Sequence, residues 1–251
     1  MPFGMTGGAK PGMTVSPRSF AFCQMIRKSF FEPQSTDSVG DIGYRRIKSD
    51  IIRGGLKPGE KLRIDALKEQ YALSASTVRE ILTRLWVEEL VVAEGMKGFE
   101  VAPVSQAGLR DVAALRLLLE TQALQQSIGA GDLRWEAEVV RAHYMLTTVE
   151  EKLIAGDYSI VNAWVQQDWE FHHATISACA SPALMSAHSG AFDRFIRYHM
   201  LVLDFRGRPA AEEHARLRDL AIARNTEAAV DLLKRHIHSG VEHVLGTGRI
   251  P

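Results

Sequence analysis

The stretch Leu67–Leu90, LKEQYALSASTVREILTRLWVEEL, decides how this chain is read. Ile64, Leu67 and Tyr71 recur at spacings of three and four, with Asp65 near the start, so a short amphipathic helix is expected to end near Leu73. Ser74, Ser76 and Thr77 follow, and such side chains cap a helix N-terminus. Val78, Ile81, Leu82, Leu85 and Trp86 then repeat along one stripe, which predicts a second helix over 76–89. Helix, tight turn and helix make a helix-turn-helix, whose second helix can enter a DNA major groove.

Upstream, IGYRRIKSDII (Ile42–Ile52) places Ile47 and Ile51 on one helical stripe with Tyr44, and Gly54, Gly55, Pro58 and Gly59 then break the pattern. Downstream, LVVAEGMKGFEVAPV (Leu90–Val104) holds two β-branched runs around a tip containing Gly95 and Gly98, as a short hairpin does. Three helices and a hairpin within residues 41–104 predict a winged helix-turn-helix domain.

The DNA-facing candidates follow from that placement. Ser76, Thr77 and Arg79 sit in the first turn of the second helix, where hydroxyls, a guanidinium and the positive end of the helix dipole can meet phosphates or base edges. Lys and Arg number 30 and Asp and Glu also 30, so the chain has no basic excess, and a DNA site must be local. Arg45, Arg46, Lys48, Arg53, Lys57, Lys61, Arg63, Lys68, Arg79, Arg84 and Lys97 supply such a basic region. From it Arg45, Arg63, Arg84 and Lys97, the last at the hairpin tip, join the candidate contacts.

With 251 residues, 46% of them hydrophobic and 24% charged, the chain reads as soluble and globular, in one or two domains. Cys23 and Cys179 lie far apart with no paired spacing, which predicts a reduced, cytoplasmic protein. Charged and polar residues interrupt every apolar run well short of the roughly 20 residues a membrane helix needs. Residues 1–40, rich in Gly, Pro, Ser and Met, are expected to form a disordered tail, and 247–251 a short C-terminal tail.

After Pro103 and Ser105 the apolar period is helical throughout 105–246. Breaks at Gly129–Gly131, Gly156, Ser181–Pro182, Gly207–Pro209 and Asn225 predict six helices, near 106–128, 133–155, 157–179, 183–205, 210–224 and 226–245. The expected fold is therefore mostly α: a winged helix-turn-helix followed by an all-helical antiparallel bundle, the bundle serving effector binding and dimerisation.

Within the bundle, Asp168 and His172 are four apart and so share one helix face. His214 falls near the start of the fifth bundle helix and His236 lies 22 positions later on the sixth. Antiparallel helices can direct all four side chains at one interior point, and three imidazoles with a carboxylate suit Zn, Ni, Mn or Fe. The remaining histidines, among them His143, His173, His188, His199, His238 and His243, are expected at the surface, core edge or helix ends. Arg116 and Glu120, also four apart, are either an intrahelical ion pair or the start of a carboxylate-binding site. Arg197 is a second candidate for binding an acid.

Two resemblances add to these readings. Residues 50–104 resemble the DNA-binding domain of GntR-family regulators, in the G-x-x-x-P-G-x-x-L after the first helix, the V-R-E-x-L-x-x-L core at Val78–Leu85 and the glycine-containing wing. The likeness implies DNA contacts at Ser76, Thr77 and Arg79, although Ala75 and Thr77 stand where the family usually has an arginine and a proline. Residues 106–245 resemble the FCD-type effector domain, in Asp168–His172, Glu213–His214, Ala221–Ala229, the histidine of K-R-H-I and the R-x-x-x-E at Arg116–Glu120. That family implies a metal held by Asp168, His172, His214 and His236, and a divalent transition metal, Zn first, is expected there. Six helices resemble its VanR-like branch, with carbon-starvation regulators of the CsiR type as the nearest likeness. The resulting expectation is a homodimeric, ligand-responsive repressor that binds an operator and a small carboxylate effector. A metal-dependent enzyme acting on an organic acid and a direct metal sensor are the alternatives.

Overall fold

The computed structural model describes residues 37–93, 98–203 and 205–251. Most of the expected N-terminal tail, and Lys97 at the hairpin tip, lie outside the described residues. Helix α1 runs Val39–Ile52 and begins earlier than the apolar stripe indicates, because Ser38 and Asp41 form a capping box across its first turn. Helix α2 spans Ile64–Tyr71 and α3 spans Ala75–Val87, where the Ser74 side chain accepts a hydrogen bond from the Thr77 amide. The turn between them passes through Ala72 in the left-handed conformation, at φ 54°. A Cβ on Gly43 of α1 would lie 2.7 Å from Leu73 Cδ1, so glycine lets this turn pack closely on α1.

The wing is a three-stranded antiparallel sheet rather than a bare hairpin. Strands β2 (Val91–Ala93) and β3 (Phe99–Val101) pair as expected, and β1 (Lys61–Leu62) adds to the other edge of β3, opposite Glu100 and Phe99. Two residues are too few to show an alternating pattern, which is why β1 was not legible in the sequence. Ile47, Ile51, Leu67, Val78, Ile81, Leu82 and Leu85 form the core of this module with Val91 and Val101 from the sheet.

Six helices follow: α4 (Gln106–Ala130), α5 (Leu133–Ile154), α6 (Val161–Ile176), α7 (Pro182–Val202), α8 (Arg208–Ile222) and α9 (Thr226–Gly246). The third is shorter than the expected 157–179, because 3-10 turns at Tyr158–Ile160 and Ser177–Cys179 flank it. The first turn is set by Asp157, whose carboxylate accepts from the Ser159 amide, and the second gives way to Ala180 at φ 53°. Helix α4 packs against α6, α7 and α9, and Leu109, Leu124, Val139, Phe171, Phe192 and Leu233 belong to the core around it. Each such side chain removed from water contributes about 1.5–3 kcal/mol before entropy is charged against it. The segment expected as a C-terminal tail is docked: Ile250 is buried, and the Gln106 amide donates to the Pro251 carbonyl.

The two cores meet. Ile52, at the end of α1, packs in the core of the bundle, and α1 lies along α7.

Candidate metal centre and nucleic-acid interface

Helices α6, α8 and α9 bring His172, His214 and His236 together, with one ring nitrogen of each within 4.8 Å of the others. Asp168, one turn before His172 on α6, places Oδ1 3.4 Å from His214 Nε2 and 3.9 Å from His172 Nε2. Three of the four residues picked out by spacing thus converge on one point, and Asp168 lies beside two of them. Nε2 of His172 and of His214 are buried with no hydrogen-bond partner. Buried polar atoms are seldom left unpaired, and here they face one carboxylate and each other.

The outer ring nitrogens explain this. His172 Nδ1 lies 2.5 Å from Glu120, His214 Nδ1 lies 2.7 Å from Glu150, and His236 Nδ1 lies 2.7 Å from Glu213. A carboxylate on Nδ1 holds the proton there and leaves the Nε2 lone pair directed inward, the arrangement metal-ligating histidines use. Glu150 was not singled out in the sequence, and Glu213 entered only as the first residue of the Glu213–His214 motif. Glu213 adjoins His214, but no local spacing links Glu150 on α5 to α8.

Electrostatics divides the three rings. Burial pushes the His172 pKa down despite the opposing charge of Glu120. Burial and the neighbouring His214 and His172 push His236 well below the ordinary value. For His214 burial also acts downward, but the hydrogen bond and charge of Glu150 outweigh it and raise the pKa. The cluster therefore presents neutral donors beside one position where a proton, or a cation in its place, is favoured.

Arg116 and Glu120 form the intrahelical pair, with Nε 2.7 Å from Oε2, but fully inside the protein. Burial would raise the Glu120 pKa, yet the charges of Arg116 and His172 hold it well below the usual carboxylate range. The Arg116 guanidinium lies over Phe192 and Phe195, at 4.4 and 4.7 Å, and its Nη2 is buried without a partner. Arg116 lines a cleft together with Asp168, His199, Arg206, His214 and His236. Nε thus holds Glu120, while Nη2 has no protein partner.

Arg197 is not part of this cleft. Its Nη2 donates to the Ala102 carbonyl at 2.6 Å, and burial lowers its pKa to about 10. Arg197 lies between the bundle and the segment after β3, away from the residues that line the cleft. The second guanidinium of the cleft belongs to Arg206, whose Nη2 lies 2.5 Å from Glu213 and 3.1 Å from His236 Nδ1. His188 and His199 also depart from the peripheral places expected of them. His188 is fully buried with Nε2 3.0 Å from Glu120, and His199 is a wall of the cleft. His143 and His173 are buried as well, His143 at 2.9 Å from Arg218 and His173 stacked on Trp169.

At the other end of the molecule, Arg79 and Ser76 are exposed on the first turns of α3, and Thr77 is half-buried. Ser74 Oγ lies 2.8 Å from both Ser76 Oγ and Thr77 Oγ1, so the three hydroxyls form a small cluster at the helix N-terminus. Lys61, Arg63 and Arg79 line a groove between this end of α3 and the sheet, with Gly98 and Phe99 across it. The remaining candidates are engaged locally. Arg84 stacks on Tyr44 at 3.9 Å and faces Asp41, and Arg45 pairs with Asp37 at 2.5 Å. Lys48, counted in the basic region, is buried beneath α1 and contributes nothing to its outer face.

The family description "Bacterial regulatory proteins, gntR family" matches residues 43–101, and the FCD domain matches 111–239. The chain belongs to the GntR family of regulators with an FCD domain. The HTH-type transcriptional regulator BphR of Paraburkholderia xenovorans (strain LB400) is 39% identical over 210 residues, covering 82% of this chain and 85% of that protein. The HTH-type transcriptional repressor GlaR of Escherichia coli (strain K12) is 33% identical over 203 residues, covering 78% and 90%. Among solved structures, E. coli McbR/YncC shares the fold at a TM-score of 0.71 and 21% identity, covering 84% of this chain and 99% of that one. A putative GntR regulator from Rhodococcus sp. RHA1 does so at 0.67 and 23%, covering 82% and 97%. The GntR-family chain is accordingly a DNA-binding transcriptional regulator. These families and relatives regulate transcription and are not enzymes, which sets aside the metal-dependent enzyme. No described helix is long and apolar enough to cross a membrane.

Proposed function

We propose that this regulator binds a divalent transition metal, Zn first, through Asp168, His172, His214 and His236, and that a small organic acid joins the ion to control operator binding. The observation that carries the reading is the inward convergence of three imidazoles, each backed by its own carboxylate, around Asp168. An ion there would satisfy the two orphaned Nε2 atoms and would offer a Lewis-acidic partner to a carboxylate oxygen. Arg116 Nη2, buried and unpaired at the wall of the same cleft, would take the other oxygen of the acid.

At the DNA end, Ser76, Thr77 and Arg79 meet the major groove, Arg63 adds a phosphate contact from the adjoining groove, and Lys97 reaches the flanking backbone. Arg45 and Arg84 contribute after exchanging their present partners for phosphate. Two copies reading two half-sites form the active unit, because one recognition helix reads few base pairs. Repression relieved by the acid is the direction proposed.

The test is a titration of the purified, metal-analysed protein against DNA from its own upstream region. It is run with and without Zn2+ and a panel of small mono- and dicarboxylates. Specific binding that one acid relieves only when metal is present supports the reading. Relief by metal alone makes the ion itself the signal. Relief by an acid in fully chelated protein overturns the metal's part.

A further inference from the structure

Helix α7 touches both functional regions. On one side Phe195, Ile196 and His199 wall the cleft, and His188 Nε2 meets Glu120, the carboxylate that also holds His172. On the other side Asp193 pairs with Lys48 of α1 at 2.7 Å, Arg194 pairs with Glu89, and Arg197 holds the Ala102 carbonyl. Lys48 is only 4% exposed and lies 2.7 Å from Glu88 at the end of α3 and 3.2 Å from the Tyr44 hydroxyl. The Tyr44 hydroxyl closes the ring by donating to Glu88 at 2.5 Å. One buried ammonium therefore ties the bundle to the first helix of the DNA-binding module and to the end of its recognition helix.

The buried Lys48–Asp193 pair, with the partly exposed Glu88 beside it, holds one geometry strongly, because a displacement that separates the two buried charges leaves each uncompensated in a poorly solvated interior. Sliding of α7 should thus carry α1 and α3 with it rather than slip past them. We propose that Lys48, Asp193 and Glu88 form the clamp through which α7 transmits the state of the His172–Glu120–His188 network to the recognition helix. Lys48 and Asp193 are positioning residues in this role, touching neither DNA nor ligand. The inference rests on the metal reading above for its input, whereas the clamp itself has a readout that needs no ligand.

The experiment is amide hydrogen exchange on the full chain, stripped with chelator and then loaded with Zn2+, with Zn2+ uptake measured in parallel. In the wild type, Zn2+ is expected to slow exchange several-fold in α6, α8 and α9, and also in α7 and α1. In D193N the slowing should persist in α6, α8 and α9 and vanish from α1, and α1 should already exchange faster without metal. Should D193N fail to fold, K48M/D193L removes the two buried charges together and leaves the partly exposed Glu88 with the Tyr44 hydroxyl, and the same loss of transmission is expected. Undiminished Zn2+ protection of α1 in a folded variant overturns the clamp. Zn2+ uptake without any wild-type effect on α1 overturns the transmission while sparing the metal site. Absence of Zn2+ uptake overturns the metal reading and the transmission built on it, while faster α1 exchange in metal-free D193N would still identify the clamp.

Discussion

The two functional regions treat charge in opposite ways. The DNA-binding module keeps its candidate contacts in water, with Ser76 and Arg79 exposed at the start of α3 over a plain apolar core. The FCD bundle takes Arg116, Glu120, Glu150, Asp168, His172, His188 and His214 into its interior, where each must be answered by a partner. A surface site can change its residues at small cost to folding, so its function is separable from its stability. An interior site cannot, and its function and fold fail together.

Removing Glu120 should show this most strongly. E120A strands Arg116, His172 and His188 together, and a loss of about 3–5 kcal/mol in unfolding free energy is expected. A thermal or denaturant midpoint close to wild type would mean that the interior charges are individually dispensable. Arg79 supplies the contrast. R79A should weaken specific operator binding by about 1–3 kcal/mol and change stability by no more than about 0.5 kcal/mol. An equal loss in both measurements would break the separation.

Glu150 sharpens the comparison inside the bundle. E150Q keeps the shape but weakens the grip on His214 Nδ1, and Zn2+ affinity measured against a competing chelator should fall about 10–100-fold. Unchanged affinity would show that His214 needs no orienting carboxylate.

A further contrast concerns acidity. Burial, with Arg116 and Arg206 nearby, lowers the His199 pKa from 6.5 to about 3. Between those values the unfolded chain binds the proton and the folded chain does not, so stability falls as pH drops below 6.5 and is unaffected by this group above it. In metal-free protein, H199Q should flatten part of that slope in urea titrations. An unaltered slope would assign it wholly to the other buried histidines.

How much was legible in the sequence follows the same division. Local spacing exposed the helix-turn-helix, the Asp168–His172 pair and the Arg116–Glu120 pair, because residues three or four apart on a helix share a face. The number of bundle helices was legible from glycine, proline and serine breaks. What stayed hidden joins helices distant in the chain. Glu150 reaches His214, and His188 reaches Glu120, across helices that share no periodic signal. Arg197 and Arg206 illustrate the limit, since the sequence reading named only Arg197 as a candidate acid binder and packing sends it to the Ala102 carbonyl, whereas the unnamed Arg206 lines the cleft. Lys48 was read as part of a basic face, yet the contact with α7 buries it.

The seam between the two regions bears on how such proteins can be recombined. Ile52 lies in the bundle core, and Lys48, Glu89 and Ala102 all meet partners on α7. A chimera cut in the linker between β3 and α4 would therefore exchange one half of a fitted joint. Grafting this recognition helix onto another bundle calls for moving the facing residues of α7 with it, so the inheritable unit of operator choice is larger than the module that reads the operator.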